Sequence, residues 1–453
     1  MKRHGPVFGI IGGGLSGSLL AVHLLRSLPD GGRVHLVEKR SGFGLGQAYS
    51  TRNPQHLLNV PAERMSAFED DPDHFLNWLR DGKSGEPADR FVPRGVYGDY
   101  IQGILGQQIR DDEGCRNLFL FPDEAVGLTV GPAGVVIQTA GGRPVEVDRV
   151  ILAIGNFPPE APFDVGRLAS SPRYLSDPWD AERVAAIPPD SPVLLVGSGL
   201  TMVDLALGLI RQGHRAPITA LSRRGLLPHR HAPAAAPLPW DGAEPPVALS
   251  VLLHQIRLRS ALGGDWRSVV DGLRPHLQDW WQAMSDDDKR RFLRHARPWW
   301  DIHRHRMAPR AAERLEHLIT DGYLRVLAGQ LLEATVGTDG VSVVCRPRGG
   351  AEHRQLEVGH IVNCSGPCSD FAKIRHPLLA RLIGDGLARP DSMRLGLDVD
   401  PLMRLLDGNG HPQERLFALG PVTRGRFWES TAVPEIRRQA KCLADYLTED
   451  VPS

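Results

Sequence analysis

The stretch Val7-Phe8-Gly9-Ile10-Ile11-Gly12-Gly13-Gly14-Leu15-Ser16-Gly17 decides the fold. A short apolar strand, Val7 to Ile11, runs into a glycine cluster, and an apolar helical pattern follows from about Ser18 to Leu28. Each glycine in Gly12-x-Gly14-x-x-Gly17 has a physical reason. Gly12 permits the tight turn, Gly14 lets the backbone approach a pyrophosphate, and Gly17 lets the helix pack on the strand. A second strand, Val34 to Val37, ends at Glu38, about 20 residues on, where a carboxylate accepts ribose hydroxyls. A carboxylate there suits FAD or NAD and repels a 2′-phosphate. Lys39 follows it and is assigned to the same cofactor site.

The programme then repeats. Val193 to Val196 reads as a strand, Gly197-Ser198-Gly199 as its turn, Thr201 to Gln212 as a helix and Ile218 to Leu221 as the next strand. Met202 stands where the third glycine would be and predicts a wider helix–strand spacing. Ser222-Arg223-Arg224 closes the second unit. An arginine there grips a 2′-phosphate with paired hydrogen bonds and Ser222 adds a hydroxyl, which favours NADPH over NADH. The competing reading is a solvated basic turn. Each unit also carries a β-meander, Ala125 to Asp148 and about Leu332 to Val358. A buried strand follows each meander, Val150 to Ile154 ending at Gly155 and His360 to Asn363 ending near Gly366. Two copies of one plan predict an α/β fold with two Rossmann-like dinucleotide-binding domains. The expected boundaries are 1–158 for the first part of an FAD-binding domain, 159–366 for an NAD(P)H-binding domain, and 367–453 for the remainder of the first. A helical insertion is expected at about 240–318, and the C-terminal stretch reads as a strand, Leu416 to Leu419, then Gly420 and a helix from about Pro434 to Leu447.

Bulk properties narrow the function. The 453 residues carry 53 Lys+Arg and 53 Asp+Glu, so there is no electrostatic reason to expect nucleic acid or an anionic membrane. Five cysteines form no disulfide framework for this length and fit a reducing cytoplasm. Phe8 to Leu25 is interrupted by glycines and His23, so it reads as strand–turn–helix and not as a signal or a span. No metal site is expected: His303 and His305, like His229 and His231, are two apart and point in different directions on a helix.

Gly42-x-Gly44-x-Gly46-x-Ala48-Tyr49-Ser50-Thr51, Gln55 to Ala62 (QHLLNVPA), Pro93-Arg94-x-x-Tyr97-Gly98-x-Tyr100 and Trp428 to Arg437 (WESTAVPEIR) together resemble the bacterial FAD/NAD(P)-binding protein family. Its wider relatives are flavin monooxygenases, and its assigned members are FAD- and NAD(P)H-dependent hydroxylases. The resemblance implies a fold of the glutathione-reductase and flavin-monooxygenase kind. It implies that Gly155 to Pro159 and Cys364 to Pro367 are the interdomain linkers. It places Arg94, Gly420, Thr431 and Ala432 at the flavin, with Asn59 near its ring. A helix starting near Pro434 would offer free N–H groups to negative charge at the edge of reduced flavin. No Cys-x-x-Cys follows the first nucleotide motif, which argues against a disulfide reductase, and Cys364 with Cys368 reads as structural.

The run Arg297-Pro298-Trp299-Trp300-Asp301-Ile302-His303-Arg304-His305-Arg306 is the most unusual in the insertion. It suits an anionic substrate or NADPH phosphates. The competing reading is a core Trp pair with a basic solvent face. Trp300 and His303, with Asn59, are the candidate catalytic residues, and Trp280 and Trp281 read as core. The expected activity is hydroxylation of a small polar or nitrogen-containing molecule by a flavin hydroperoxide, with FAD and NADPH as cofactors. A reductase without oxygen insertion and a slow FAD-binding sensor are the alternatives.

Overall fold

The computed structural model describes residues 5–449 apart from 41, 83–89, 112–116, 233–235, 241–247 and 263–264. Cys115 lies outside the described residues.

A six-stranded sheet draws on both ends of the chain. Its order is Arg404–Leu406, Pro412–Ala418, Arg149–Leu152, Val7–Ile11, Arg33–Val37 and Leu118–Phe121, parallel except for the first pair. Alternate residues of Val7–Ile11 feed two cores. Phe8 and Ile10 pack with Leu20, Leu24, Ala440 and Leu443 beneath the helices Leu15–Ser27 and Val433–Glu449, while Ile11 joins Leu128, Ile137 and Val147 of a separate three-stranded meander. Burial on both faces, about 2 kcal/mol for each large aliphatic side chain, is what makes this strand a continuous apolar run.

A seven-stranded sheet forms the second unit, in the order Arg354–Val358, Val341–Pro347, Leu324–Val336, Ile218–Ser222, Val193–Val196, His360–Asn363 and Tyr174–Leu175. Here the meander is not separate. Leu324–Val336 pairs in parallel with Ile218–Ser222 along its first part and antiparallel with Val341–Pro347 along its second, with a register shift between Leu331 and Glu333. In the first unit Pro122 separates Leu118–Phe121 from Ala125–Gly131. Proline cannot donate to a ladder, so the strand breaks there. No proline interrupts 324–336, and a bulge bends one strand across both roles.

The insertion is helical: Leu249–Ala261, Trp266–Leu273, Leu277–Ala283, Asp286–Arg291, Arg297–Arg304 and Pro309–Thr320. Asp265 and Ser285 cap two of these helices by accepting from the Arg267 and Asp288 N–H groups. Trp280 and Trp281 are buried. Trp281 donates its indole N–H to the Gly425 carbonyl at 2.8 Å and stacks on Trp428 with centroids 4.6 Å apart, which locks the insertion to the C-terminal segment. Among the described residues no helix is long and apolar enough to cross a membrane.

Candidate functional site

The first glycine turn opens into a cavity of about 550 Å³ lined by Gly12, Gly14, Glu38, Lys39, Gly155 and Asn156 among others. The helix begins at Leu15 rather than Ser18, so its free N–H groups lie within the motif itself. Gly12 has φ +106°, and a Cβ there would collide with the Ala153 carbonyl; one at Gly17 would collide with the Gly12 carbonyl. Gly14 is different. It has an ordinary φ of −75°, and an added Cβ would meet only Gly46, its Cα 3.3 Å away. Gly12 and Gly17 therefore serve the fold, and Gly14 keeps the cavity floor bare. Glu38 is held by its own surroundings. One carboxylate oxygen accepts from the Gly13 N–H at 2.7 Å and the other from the Arg40 N–H at 2.9 Å, which leaves the remaining lone pairs for hydroxyls. Lys39 reaches Glu124 at 3.4 Å on the cavity rim. Gly420 has φ +78° and sits against Ser16, beside the start of the same helix. These groups fit a dinucleotide pyrophosphate and ribose.

At the second turn Gly197 has φ +125° and a Cβ there would collide with the Cys364 carbonyl, whereas a Cβ on Gly199 would meet nothing within 4 Å. Met202 is fully buried under the helix Leu200–Arg211. Ser222 is less free than its sequence position predicts: its hydroxyl bonds that of Ser198 at 2.8 Å and accepts from the Gly225 N–H at 3.0 Å. Arg223 is exposed and Arg224 half-buried, and neither side chain has a hydrogen bond or ion pair among the described residues. Two unpaired guanidiniums at a strand end suit a 2′-phosphate. Charge-assisted hydrogen bonds contribute roughly 1.5–3 kcal/mol each. Arg223→Ala is therefore expected to raise the KM for NADPH about tenfold or more and to leave NADH use nearly unchanged. Steady-state kinetics with both nucleotides checks this, and a wild-type preference for NADH would contradict it.

Cys345, Cys364, Cys368 and Cys442 are free, and burial pushes the Cys364 thiol well up, away from the reactive thiolate.

A second cavity, about 330 Å³, lies where the first unit, the second unit and the insertion meet. Leu57, Asn59, Val60 and Pro61 form one wall. The loop after Pro228 is clamped to the insertion by bonds between His229 and Met307 and from His231 to Met307, and the His231 ring meets the Asn59 carbonyl at 3.1 Å. Burial holds His231 down at about 4, so it stays neutral at ordinary pH. Arg64 and Arg90 from the first unit, Arg230 from the loop, and Arg267, Arg274, Arg304, Arg306 and Arg310 from the insertion line this cavity, with Asp271 the sole acid on its wall among the described residues.

Beside this cavity lies a buried ionic knot. Glu429, 4% exposed and with φ +69°, accepts the Trp300 indole N–H at 2.9 Å and pairs with Arg304 at 3.1 Å. Burial would raise this carboxyl, but Arg304, His305 and the Trp300 N–H outweigh it and bring it to about 2. Glu435, in the first turn of Val433–Glu449, pairs with Arg274 at 3.0 Å and lies 3.8 Å from Arg304. Thr431 and Ala432 immediately precede that helix, and both N–H groups turn back onto the Glu429 carbonyl. That leaves fewer free donors at this helix end than its sequence suggests.

Three other candidates take up positions their sequence did not indicate. Trp300 and His303 are not on the wall of either cavity. Trp300 positions Glu429, and His303 bonds the Trp299 carbonyl at 2.7 Å and packs against His229 and Trp266. Nor are Trp299 and Trp300 a core pair, since Trp299 is 47% exposed. Arg94 bridges the two units. It donates to the Leu57 carbonyl at 3.2 Å and pairs with Asp204 at 2.7 Å; burial outweighs that pairing and raises the Asp204 carboxyl to about 6. Arg64, Asp271 and Arg274 were not singled out in the sequence, which offers no local motif around them. Among the described residues no group of three or more His, Cys, Asp or Glu is placed to hold a metal ion.

Two parallel-sheet units, each with a glycine turn and a helix N-terminus at the strand ends, define the two-dinucleotide-domain flavoprotein fold. Residues 9–157 match the FAD-NAD(P)-binding family. The fold is similar to that of Kutzneria sp. 744 ornithine N-hydroxylase, at 16% identity and a TM-score of 0.68 over 99% of both chains. It is similar to L-lysine 6-monooxygenase from Pseudomonas syringae, at 16% identity and TM-score 0.66 over 99% of this chain and 100% of that one. T. acidophilum thioredoxin reductase aligns over 99% of both chains at 12% identity and TM-score 0.55. A curated relative, nitrosuccinic acid synthase of Aspergillus oryzae, is 25% identical over 43% of this chain, and the match spans only 34% of that relative's length.

Proposed function

We propose that this chain is an FAD-dependent, NADPH-consuming monooxygenase that hydroxylates a small polar, nitrogen-containing molecule, with an FAD-binding unit of 1–158 and 367–453 enclosing an NADPH-binding unit of 159–366. The carrying observation is the arginine-lined cavity at the junction of both units and the insertion. FAD, when bound, supplies the redox and oxygen chemistry. The chain supplies the rest. Gly12, Gly14, Gly17 and Glu38 seat one dinucleotide, while Gly197, Gly199, Arg223 and Arg224 seat the other. The insertion, locked down through Trp281 and the Glu429 knot, keeps water from the cavity beside Asn59. Asn59, a residue of the cavity wall, would touch substrate or the flavin ring. Similarity to proteins named as ornithine and lysine monooxygenases and to nitrosuccinic acid synthase supports a nitrogen-bearing substrate.

The test is isotopic. Purified protein given NADPH, labelled dioxygen and a panel of small amines and amino acids is expected to oxidise NADPH faster with one of them and to place labelled oxygen in its product. Substrate-stimulated NADPH oxidation with no label in any product would replace this reading with a reductase.

A further inference from the structure

We propose that the ion pair between Arg94 and Asp204 is a latch that holds the NADPH-binding unit against the FAD-binding unit in the position hydride transfer needs, with Asp204 as a positioning residue. This rests on the reading above only in that the two units seat FAD and NADPH, and a reductase would need the same latch.

Arg94 opens the helix Arg94–Asp111 of the first unit. Its own N–H donates to the His56 carbonyl at 2.8 Å and its Nε to the Leu57 carbonyl at 3.2 Å. Across the boundary it meets Asp204 at 2.7 Å and lies over the Trp179 ring, 5.7 Å from its centre. The two charged side chains are nearly closed off from solvent, 16% and 10% exposed. The contact is off-line for a hydrogen bond, so charge holds it. Asp204 stands one turn into Leu200–Arg211, the helix that follows the second glycine turn and whose free N–H groups would receive the NADPH pyrophosphate. Leu57 lies two residues from Asn59 on the wall of the same cavity. One guanidinium therefore ties the cavity wall to the nucleotide-binding helix.

Much of the boundary around this pair is apolar. Leu57 and Phe91 of the first unit join the cluster of Val203, Leu207 and Ala311, while Arg211 reaches Asn53 at 3.0 Å on the surface. Apolar burial is non-directional and permits sliding. A buried ion pair fixes one register and adds little net stability over apolar residues of similar size. That combination suits positioning. In the reaction NADPH gives a hydride, one proton with two electrons, to oxidised flavin and leaves as NADP⁺, with the flavin as its reduced anion. The reacting atoms must come within about 3–3.5 Å, and a displacement of about 1 Å costs on the order of a hundredfold in rate.

The test mixes FAD-loaded protein with NADPH in the absence of oxygen. It is run at about pH 8, above the value of about 6 to which burial raises the Asp204 carboxyl. Loss of the oxidised-flavin band is followed to saturation. Asp204→Asn is expected to lower the limiting reduction rate about tenfold or more, with FAD content and the half-saturating NADPH concentration nearly unchanged. That variant leaves Arg94 buried without its partner and is also destabilised. The double variant Arg94→Leu with Asp204→Leu removes both charges. It is expected to melt close to wild type and still to be reduced slowly. In protein without NADPH, amide hydrogen exchange over 53–59 and 200–211 is expected to quicken in both variants. A folded double variant reduced at the wild-type rate, exchange unchanged in both segments, or a double variant that loses its fold would each overturn the proposal, the last by assigning the pair to stability. The two readings fail separately, because no oxygen enters this measurement. Slowed variants of a protein that never labels a product keep the latch and remove the monooxygenase. Labelled product, with variants reduced as fast as wild type, does the reverse.

Discussion

Gly14→Val is expected to leave a folded protein that has lost its flavin. The expectation depends on what surrounds each glycine of the turn. Side chains at Gly12 or Gly17 would strike the Ala153 or Gly12 carbonyl, so their loss would confound folding with binding. Gly14 already has the backbone of an ordinary L-residue, and its Cβ would meet only Gly46. The branched side chain would therefore project over the cavity floor, where the phosphates must touch the N–H groups at the start of Leu15–Ser27. Losing two charge-assisted backbone bonds costs about 3 kcal/mol or more, a weakening of roughly a hundredfold. Absorbance per mole of purified protein measures FAD content, and circular dichroism reports the fold. Full flavin content in a folded Gly14→Val protein would refute the assignment of this turn.

That turn was readable in the sequence because its information is local. Three glycines, a strand, a helix and Glu38 lie within one short span, and each position answers one steric or electrostatic demand. The arginine cavity was not readable for the opposite reason. Arg64 and Arg304 are distant in sequence and share a wall only because the insertion folds back over Leu57 to Pro61. The run from Arg297 to Arg306 did signal anion binding, but the residues that stand out in it, Trp300 and His303, buttress the site, and Arg304 and Arg306 face it. The sequence pattern starts the second meander at about Leu332, because the bulge between Leu331 and Glu333 breaks the alternation on which strand patterns depend. Glu429 stood within a recognisable motif, Trp428 to Arg437, yet nothing in that motif announces a buried carboxylate in the left-handed backbone region.

Glu429→Gln is expected to be strongly destabilising at neutral pH, and the pH dependence of that loss identifies its cause. A non-glycine residue at φ +69° is strained, and the backbone stays there because the side chain is tied to Arg304 and Trp300. Its carboxyl lies at about 2 against an ordinary 4.5, with the surrounding cations overcoming burial. The folded state thus binds a proton less readily than the unfolded one. The stabilisation is fully present above the ordinary value, declines as pH falls below it, and is gone once pH passes through about 2. The shift corresponds to a contribution on the order of 3 kcal/mol at pH 7, similar to the cost of leaving a buried partner charge uncompensated. Denaturant melts of wild type and Glu429→Gln at neutral pH should differ by about that amount, and the gap should shrink as the buffer is taken from pH 5 towards 3. A gap that stays constant over that range would mean that Glu429 acts by shape and hydrogen bonding alone. The Arg304 guanidinium would then owe its position to something other than this charge.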